Sequence, residues 1–85
     1  MKHYVYILYS ESADRYYIGA AQDAQQRLVR HNAGASKATK SGRPWIIIHT
    51  EEYPSKSLAL KREILIKKKK SRKYIEWLIA SSIPS

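Results

Sequence analysis

Tyrosine is the residue type in this sequence that most directly suggests chemistry. The chain holds seven Tyr and no Phe, although a core that needed only aromatic bulk would be expected to use Phe as well. A phenol can donate or accept a hydrogen bond, and it can lose its proton when cations lie close by. Five tyrosines fall near the amino terminus: Tyr4, Tyr6, Tyr9, Tyr16 and Tyr17. Amphipathic packing at the edge of a small core is the alternative, which we favour for Tyr9 and Tyr53.

Positive charge is the second feature that suggests a function. The chain carries 16 Lys and Arg against seven Asp and Glu, a net charge of +9. Residues 1–53 hold seven basic and five acidic side chains, a net of +2, whereas residues 54–85 hold nine and two, a net of +7. Such an excess on one stretch indicates an anionic partner, with nucleic acid ahead of an acidic membrane surface.

The composition excludes several classes of protein. The chain has no Cys, so disulfides and thiolate zinc sites are excluded, and its three histidines are too far apart for a metal-binding pair on one helix. No apolar run approaches the roughly 18 residues that a membrane span needs. The apolar stretch near the amino terminus is too short to predict a signal peptide. Eighty-five residues predict one small globular domain over residues 1–80 with a tail at 81–85, in the reducing cytoplasm.

The pattern along the chain predicts the order β-β-α-β-α-α. Aromatic and β-branched residues predict three strands, at 4–9, 15–19 and 45–50, the first two forming a hairpin. Cap signals predict a helix from Asp23 to about Asn32, a second over 56–69 and a short third after Ser71. The continuous apolar run at 45–50 predicts a strand covered on both faces. The fold class is therefore α+β, a small, mostly antiparallel three-stranded sheet flanked by about three helices.

Two blocks in the hairpin resemble the signature of the GIY-YIG nuclease superfamily. Tyr4-Val5-Tyr6 stands first, and Tyr17-Ile18-Gly19 follows about ten residues later. The stretch from Gly34 to Trp45 looks like that of small single-domain members related to the nuclease domain of UvrC. The resemblance covers about residues 3–79. It implies a DNA endonuclease of low sequence specificity, acting in DNA repair or recombination.

The resemblance implies a role for each of five residues: Tyr6, Tyr17, Arg27, His31 and Glu63. Tyr17 would be the general base and Tyr6 its neighbour in the site. Arg27 would hold the scissile phosphate bidentately, a task that Lys performs less well. His31, four residues later on the same helix face, would relay a proton or bind phosphate. The alternatives are core-edge tyrosines, a solvated Arg27, a His31 that interacts with the helix dipole and a surface pair of Glu63 with Lys67.

The resemblance also implies a metal ion bound by Glu63. This would be the sole protein carboxylate on the ion. Such thin coordination suits Mg²⁺ (or Mn²⁺), which keeps several waters and binds through one or two carboxylates plus substrate phosphate.

Five basic residues are expected to contact nucleic acid: Arg30, Lys37, Lys40, Arg43 and Lys67. The basic run over residues 67–73 would be a solvated helix end or would contact phosphates. Each such contact on duplex DNA lowers log K by about 0.9 per decade of salt. For the oligomeric state, a monomer and a weak homodimer both stay open.

Three departures from the family pattern bear on catalysis. Tyr4 replaces the glycine of the first block, Ala20 stands where relatives often carry Lys, Thr or Ser, and no Asn follows Glu63. These changes put catalytic efficiency in doubt rather than the fold. Two alternatives to an active enzyme therefore remain. One is a catalytically weak or inactive nucleic-acid-binding module, and the other is an accessory subunit that docks on a repair complex.

The hairpin offers a geometric test of a shared site. Side chains alternate across a strand, so directly opposed residues lie on one face of the sheet. If Tyr6 and Tyr17 share a site and no bulge intervenes, the paired residue numbers must sum to an odd value.

Overall fold

Seven elements follow one another in the computed structural model of the protein, which describes residues 1–81. They are β1 (His3–Ser10), β2 (Arg15–Ala21), α1 (Ala24–Asn32), a single 3-10 turn (Lys40–Gly42), β3 (Trp45–Tyr53), α2 (Lys56–Lys69) and α3 (Arg72–Ser81). This order confirms the predicted α+β class. The strands extend one to three residues beyond their predicted ends, and the 3-10 turn lies within the predicted loop. The remainder of the predicted tail, residues 82–85, lies outside the described part.

The three strands form an antiparallel sheet in the order β2-β1-β3. Successive side chains of the central strand β1 point to opposite faces. Val5 and Ile7 pack with α2 and α3, whereas Tyr6 and Leu8 belong to a second cluster with Ala24 of α1. The sheet therefore separates two small cores, one on each face.

The prediction that the third strand is covered on both faces is wrong. β3 pairs only with β1 and forms an edge of the sheet, so Ile46 is 55% exposed. A bulge leaves Ile48 without a partner, since Ile7 pairs with His49 and Leu8 pairs with Ile47. The strand that is buried on both faces is β1. An apolar run shows that a strand can be buried, but its position in the sheet depends on pairing.

The hairpin register confirms that Tyr6 and Tyr17 lie on one face. Tyr6 is opposite Gly19 and Leu8 is opposite Tyr17, so every pair sums to the odd value of 25. No bulge is present between β1 and β2 along the paired residues.

Both ends of α1 are fixed as the sequence predicts. Asp23 caps the start, where its carboxylate accepts a hydrogen bond from the amide of Gln26 at 3.0 Å. At the other end, Gly34 has a φ of 82°, and its amide donates to the carbonyl of His31 at 3.1 Å. The amide of Ala35 donates to the carbonyl of Arg30 at 3.1 Å, which completes a Schellman motif. The helix face that carries Arg27 and His31 is thereby held in place.

The helices α2 and α3 cover the other face of the sheet. α2 begins after Ser55, whose side chain accepts a hydrogen bond from the Leu58 amide, and it contacts the core through Ala59 and Ile66. α3 begins after Ser71, whose hydroxyl accepts from the amide of Tyr74 at 3.1 Å. Over residues 1–81, no helix is long and apolar enough to cross a membrane.

Candidate active site

A buried chain of hydrogen bonds links β1, α1 and the loop before the 3-10 turn. The hydroxyl of Tyr6 lies 3.0 Å from Nε2 of His31, and Nδ1 of His31 lies 2.7 Å from Oγ1 of Thr39. All three side chains are almost fully buried. Burying polar groups is costly unless they are paired. Each member of this chain therefore stabilises the position of the next.

We infer the tautomer of His31 from its hydrogen-bond partners. Burial, followed by Arg27 and Arg30, holds the pKa of His31 below its ordinary value, so the ring is neutral at pH 7. Thr39 donates its hydroxyl proton to the carbonyl of Ser36 at 3.5 Å, and its oxygen is left to accept. His31 then carries its proton on Nδ1, while Nε2 accepts a hydrogen bond from Tyr6.

Tyr6 is a proton donor at neutral pH. Burial and then the neighbouring Tyr17 raise the pKa of Tyr6 to about 12, with a further contribution from Glu63 that Arg27 opposes. A phenol with this pKa stays protonated under physiological conditions. The role of Tyr17, rather than Tyr6, as general base stays a prediction.

Tyr17 stands beside a small cleft of about 90 Å³. Its ring meets the rings of His31 and Trp45 edge-on, at centroid distances of 5.0 and 6.4 Å. Arg27 and Arg30 also line the cleft. Guanidinium groups bind oxyanions bidentately, so the cleft is suited to an anionic group such as a phosphate.

Trp45 ties the wall of the cleft to the surrounding elements. Its indole nitrogen donates to the carbonyl of Thr39 at 2.7 Å, and its amide donates to Oδ1 of Asn32 at 2.7 Å. The side-chain nitrogen of Asn32 donates in return to the carbonyl of Trp45 at 3.0 Å. The end of α1, the loop and the start of β3 are therefore connected directly.

Glu63 reaches the same region from α2. Its side chain is 15% exposed, and its Oε2 lies 2.8 Å from Nζ of Lys67. Glu63 and Arg27 both shift the pKa of Tyr6, in opposite directions, so their charges act on the same buried group. Tyr6, Tyr17, Arg27 and His31 therefore lie together on the face of the sheet that α1 covers, and Glu63 of α2 is close enough for its charge to act on Tyr6.

The donor set fits a loosely held divalent ion. Within residues 1–81 no group of three His, Cys, Asp or Glu side chains is placed to hold a metal. Glu63 offers one carboxylate, and Lys67 is its hydrogen-bond partner. This set suits Mg²⁺, which can keep its waters and take further oxygens from a phosphate, and it does not suit an ion held entirely by protein. Metal binding by Glu63 stays a prediction.

Gly19, the glycine of the second signature block, belongs to the site although it was not among the five predicted site residues. A Cβ atom at this position would collide with the phenol of Tyr6, which crosses over the backbone of β2. Glycine is the residue that allows such a close approach. The sequence signal for this close approach is a glycine inside a predicted strand. Thr39 was missed as well, because nothing in a polar loop sequence shows which hydroxyl turns inward.

The five predicted nucleic-acid contacts fall into two places. Arg30 lines the cleft, and Lys37 is exposed on the loop that follows α1. Arg43 donates from Nε to the carbonyl of Lys40 at 2.9 Å. Lys67 lies on α2, where its Nζ is 2.8 Å from Oε2 of Glu63. Their contact with nucleic acid stays a prediction.

A hairpin that presents two tyrosines on one face, with an arginine from α1 and a glutamate from α2, defines a GIY-YIG type of site. The family model described as the GIY-YIG catalytic domain matches residues 2–75. The chain belongs to this family, which confirms the resemblance seen in the sequence.

The relatives are proteins of similar size. The UPF0213 protein of Staphylococcus saprophyticus is 42% identical over 78% of this chain and 80% of its own length. That of Halobacterium salinarum is 43% identical over 76% and 84%. The solution NMR structure of a UPF0213 protein from Bacillus halodurans matches with a TM-score of 0.61 and 32% identity, over 96% of this chain and 86% of that one.

Proposed function

We propose that the protein is a metal-dependent DNA endonuclease that hydrolyses phosphodiester bonds with low sequence specificity. The observation that carries the proposal is that Tyr17, Arg27 and His31 line one small cleft, with Tyr6 hydrogen-bonded to His31 and the charge of Glu63 acting on Tyr6 from α2. Membership of a family of catalytic domains supports a nuclease reaction in particular. A setting in DNA repair or recombination is part of the same proposal.

Tyr17 and Arg27 carry the chemical step in this proposal. Tyr17, acting in its phenolate form, accepts a proton from a water molecule, whose oxygen forms a bond to phosphorus in line with the leaving oxygen. The bond from phosphorus to the leaving oxygen breaks as the new bond forms. Arg27 binds the non-bridging oxygens and stabilises the negative charge that develops on them.

Tyr6 and His31 support this step rather than perform it. Tyr6 donates to the unprotonated Nε2 of His31 and remains a phenol, so it can orient groups beside Tyr17 without competing for the proton of the water. Glu63 would hold a Mg²⁺ or Mn²⁺ ion, which when bound supplies positive charge to the phosphate and the leaving oxygen.

Low sequence specificity follows from the type of the predicted contacts. The residues expected to touch nucleic acid are Lys and Arg, and phosphate contacts of this kind position a strand without reading its bases. The predicted partner is therefore DNA of varied sequence, recognised through its backbone.

Nicking of supercoiled plasmid tests the proposal. Wild-type protein with Mg²⁺ or Mn²⁺ is expected to convert supercoiled to open-circular DNA, and EDTA is expected to abolish the conversion. Glu63→Gln and Arg27→Ala should each lower the rate by about 100-fold or more. Glu52→Gln is the matched control, since Glu52 is exposed and pairs with Lys2. Bound DNA that is never nicked by wild-type protein with any divalent ion contradicts the proposal.

One observation favours the second candidate, a nucleic-acid-binding module with little catalysis. The Glu63 carboxylate is already neutralised by Lys67 at 2.8 Å. If this pair persists when DNA binds, Glu63 cannot hold an ion well. Lys67→Met separates the two candidates when nicking is measured at saturating protein, since Lys67 is also a predicted DNA contact. Release of Glu63 should then increase metal-dependent nicking only in an active enzyme.

A further inference from the structure

A second cavity lies between β2 and the turn that joins α2 to α3. Its volume is about 290 Å³. Apolar side chains such as Ile18 and Ile66 form part of its lining, and the basic residues Lys67, Lys70 and Arg72 border it. Lys and Arg side chains form charge-assisted hydrogen bonds to phosphate oxygens, so cations at the rim of a cavity are suited to bind a phosphate group.

We propose that Lys70 is the centre of a binding site for a backbone phosphate of the nucleic-acid strand, separate from the phosphate that is cut. This inference rests on the proposed function, since it takes nucleic acid as the substrate. It assigns a specific contact to one lysine of a basic run that otherwise provides only general attraction.

Within the described part of the chain, Lys70 is the cation at the cavity whose side chain is not already paired. Lys67 pairs with Glu63, and Arg72 donates to Asp14 at 2.6 Å and to Glu76 at 3.2 Å. Among the interactions within residues 1–81, no hydrogen bond or ion pair engages the side chain of Lys70.

The other charged groups at the cavity do not cancel this cation. Asp14 is the carboxylate in the lining, and Arg72 neutralises it. Arg15 also lines the cavity, but its guanidinium donates to Ser41 at 3.3 Å and lies 5.7 Å from the ring of Trp45. The guanidinium of Arg15 is therefore engaged by Ser41 and Trp45.

The backbone conformation of Lys70 is unusual for a lysine. This residue ends α2 with φ 47° and ψ 38°, in the left-handed region. Gly, and less often Asn, is the residue that normally takes this position after a helix. A lysine in place of a less strained residue is a reason to seek a use for its side chain.

Lys70 also follows the candidate metal ligand Glu63 by seven residues. Glu63 and Lys67 share a face of α2 at an interval of four residues, and Lys70 follows three residues later, at the end of the helix. Seven residues of helix span roughly 10 Å. A strand cut at the Glu63 end would therefore bring a neighbouring phosphate to Lys70.

Two variants of equal charge test the proposal. Lys70→Asn removes the cation and places a residue that tolerates the left-handed conformation, so the melting temperature should be unchanged or raised. Lys68→Gln removes one charge from the same run at an exposed residue that does not line the cavity. DNA affinity is measured in EDTA, where no cleavage occurs, over a range of salt concentrations.

Lys70→Asn is expected to weaken binding by about five- to ten-fold near 0.1 M salt and to reduce the salt slope by about 0.7–0.9, against less than two-fold for Lys68→Gln. Inorganic phosphate should shift the backbone amide NMR signals of residues 70–72 in wild-type protein, and not in Lys70→Asn. Equal losses from the two variants would overturn the site and leave the nuclease proposal intact. Binding through Lys70 without any cleavage would support the site and overturn the nuclease proposal.

Discussion

The proton on the His31 ring is the smallest feature on which the candidate site depends. A neutral imidazole has one donor and one acceptor nitrogen, and its neighbours decide which is which. In the inferred tautomer Thr39 accepts from Nδ1, and Nε2 accepts the hydrogen bond of the Tyr6 hydroxyl. The loop residue Thr39 thereby determines which way the hydrogen bonds run at the site.

Replacing Thr39 tests this assignment. In Thr39→Val the proton on Nδ1 would lose its buried acceptor, so we expect His31 to change to the Nε2–H tautomer and donate to Tyr6. Thr39→Ser keeps the hydroxyl and should keep the wild-type tautomer. Nitrogen chemical shifts of the His31 ring, measured through its two-bond couplings, distinguish the two forms. An unchanged tautomer in the valine variant would contradict the role of Thr39.

The contact between Gly19 and Tyr6 gives a second expectation at this scale. In Gly19→Ala the new methyl group meets the phenol of Tyr6, and displacing that ring should cost about 1–3 kcal/mol of unfolding free energy. In a Tyr6→Leu background the cost should largely disappear, because the colliding atoms are absent. Urea unfolding of the two single variants and the double variant measures this coupling. Additive costs would show that the crossing does not constrain the site.

At the scale of elements, one network holds α2 against β3. Arg62 donates to Glu51 from Nε at 2.8 Å, and His49 and Tyr53 lie 2.9 and 2.7 Å from the same carboxylate. Burial acts to raise the pKa of Glu51, but the hydrogen bonds from Arg62, His49 and Tyr53 outweigh it and lower the pKa to about 2. Arg62 immediately precedes Glu63, so this network sets how α2 presents Glu63 to the site.

Glu51→Gln should change the acid stability of the protein. The carboxyl has a pKa of about 2 when folded against a reference value of 4.5. Its stabilising contribution is therefore complete above pH 4.5 and is lost as the pH falls towards 2, with an upper limit of about 3 kcal/mol. The difference in unfolding free energy between wild type and Glu51→Gln should shrink over this window. A difference that stays constant from pH 6 to pH 2 would exclude the network as its source.

The helices and strands were largely predictable from the sequence, but the elements that each of them packs against or pairs with were not. Cap residues such as Asp23 and Ser55 act locally, so they mark helix starts without knowledge of the fold. The edge position of β3 depends on strand pairing, which an apolar run does not encode. Lysine favours helix, so its own preference gave no sign that Lys70 would be left-handed.

The same distinction applies to the candidate site. The motif blocks located the tyrosines, Arg27 and Glu63, because their types and spacing recur in the family. The inward turn of Thr39 and the apposition of Gly19 to Tyr6 depend on the path of the loop and on the strand register. These contacts become visible only when the tertiary structure is known.

Across the whole molecule, the positive charges that give the net charge of +9 have two proposed roles, in catalysis and in binding. Arg27, from the nearly neutral first part of the chain, is assigned to the chemistry. The basic second part supplies attraction to the phosphate backbone and, at Lys70, a proposed specific contact. This division predicts a strong effect of salt on binding.

Salt dependence of DNA binding measures how many phosphates the protein contacts. The five basic residues expected at the interface, together with Lys70, imply a slope of log K against log salt of about −5 on duplex DNA. Filter binding or fluorescence anisotropy in EDTA, at several salt concentrations, gives this slope. A slope near zero would show that the basic surface does not bind the DNA backbone.

The rate of phosphodiester hydrolysis by Tyr17→Phe tests whether Tyr17 is the general base of a nuclease. The substitution removes one oxygen from the group assigned as general base and leaves the ring to pack against His31 and Trp45. Single-turnover nicking with Mg²⁺ should fall by about 100- to 10,000-fold, while DNA affinity in EDTA and the melting temperature stay close to those of wild type. Cleavage by Tyr17→Phe at the wild-type rate would contradict the account.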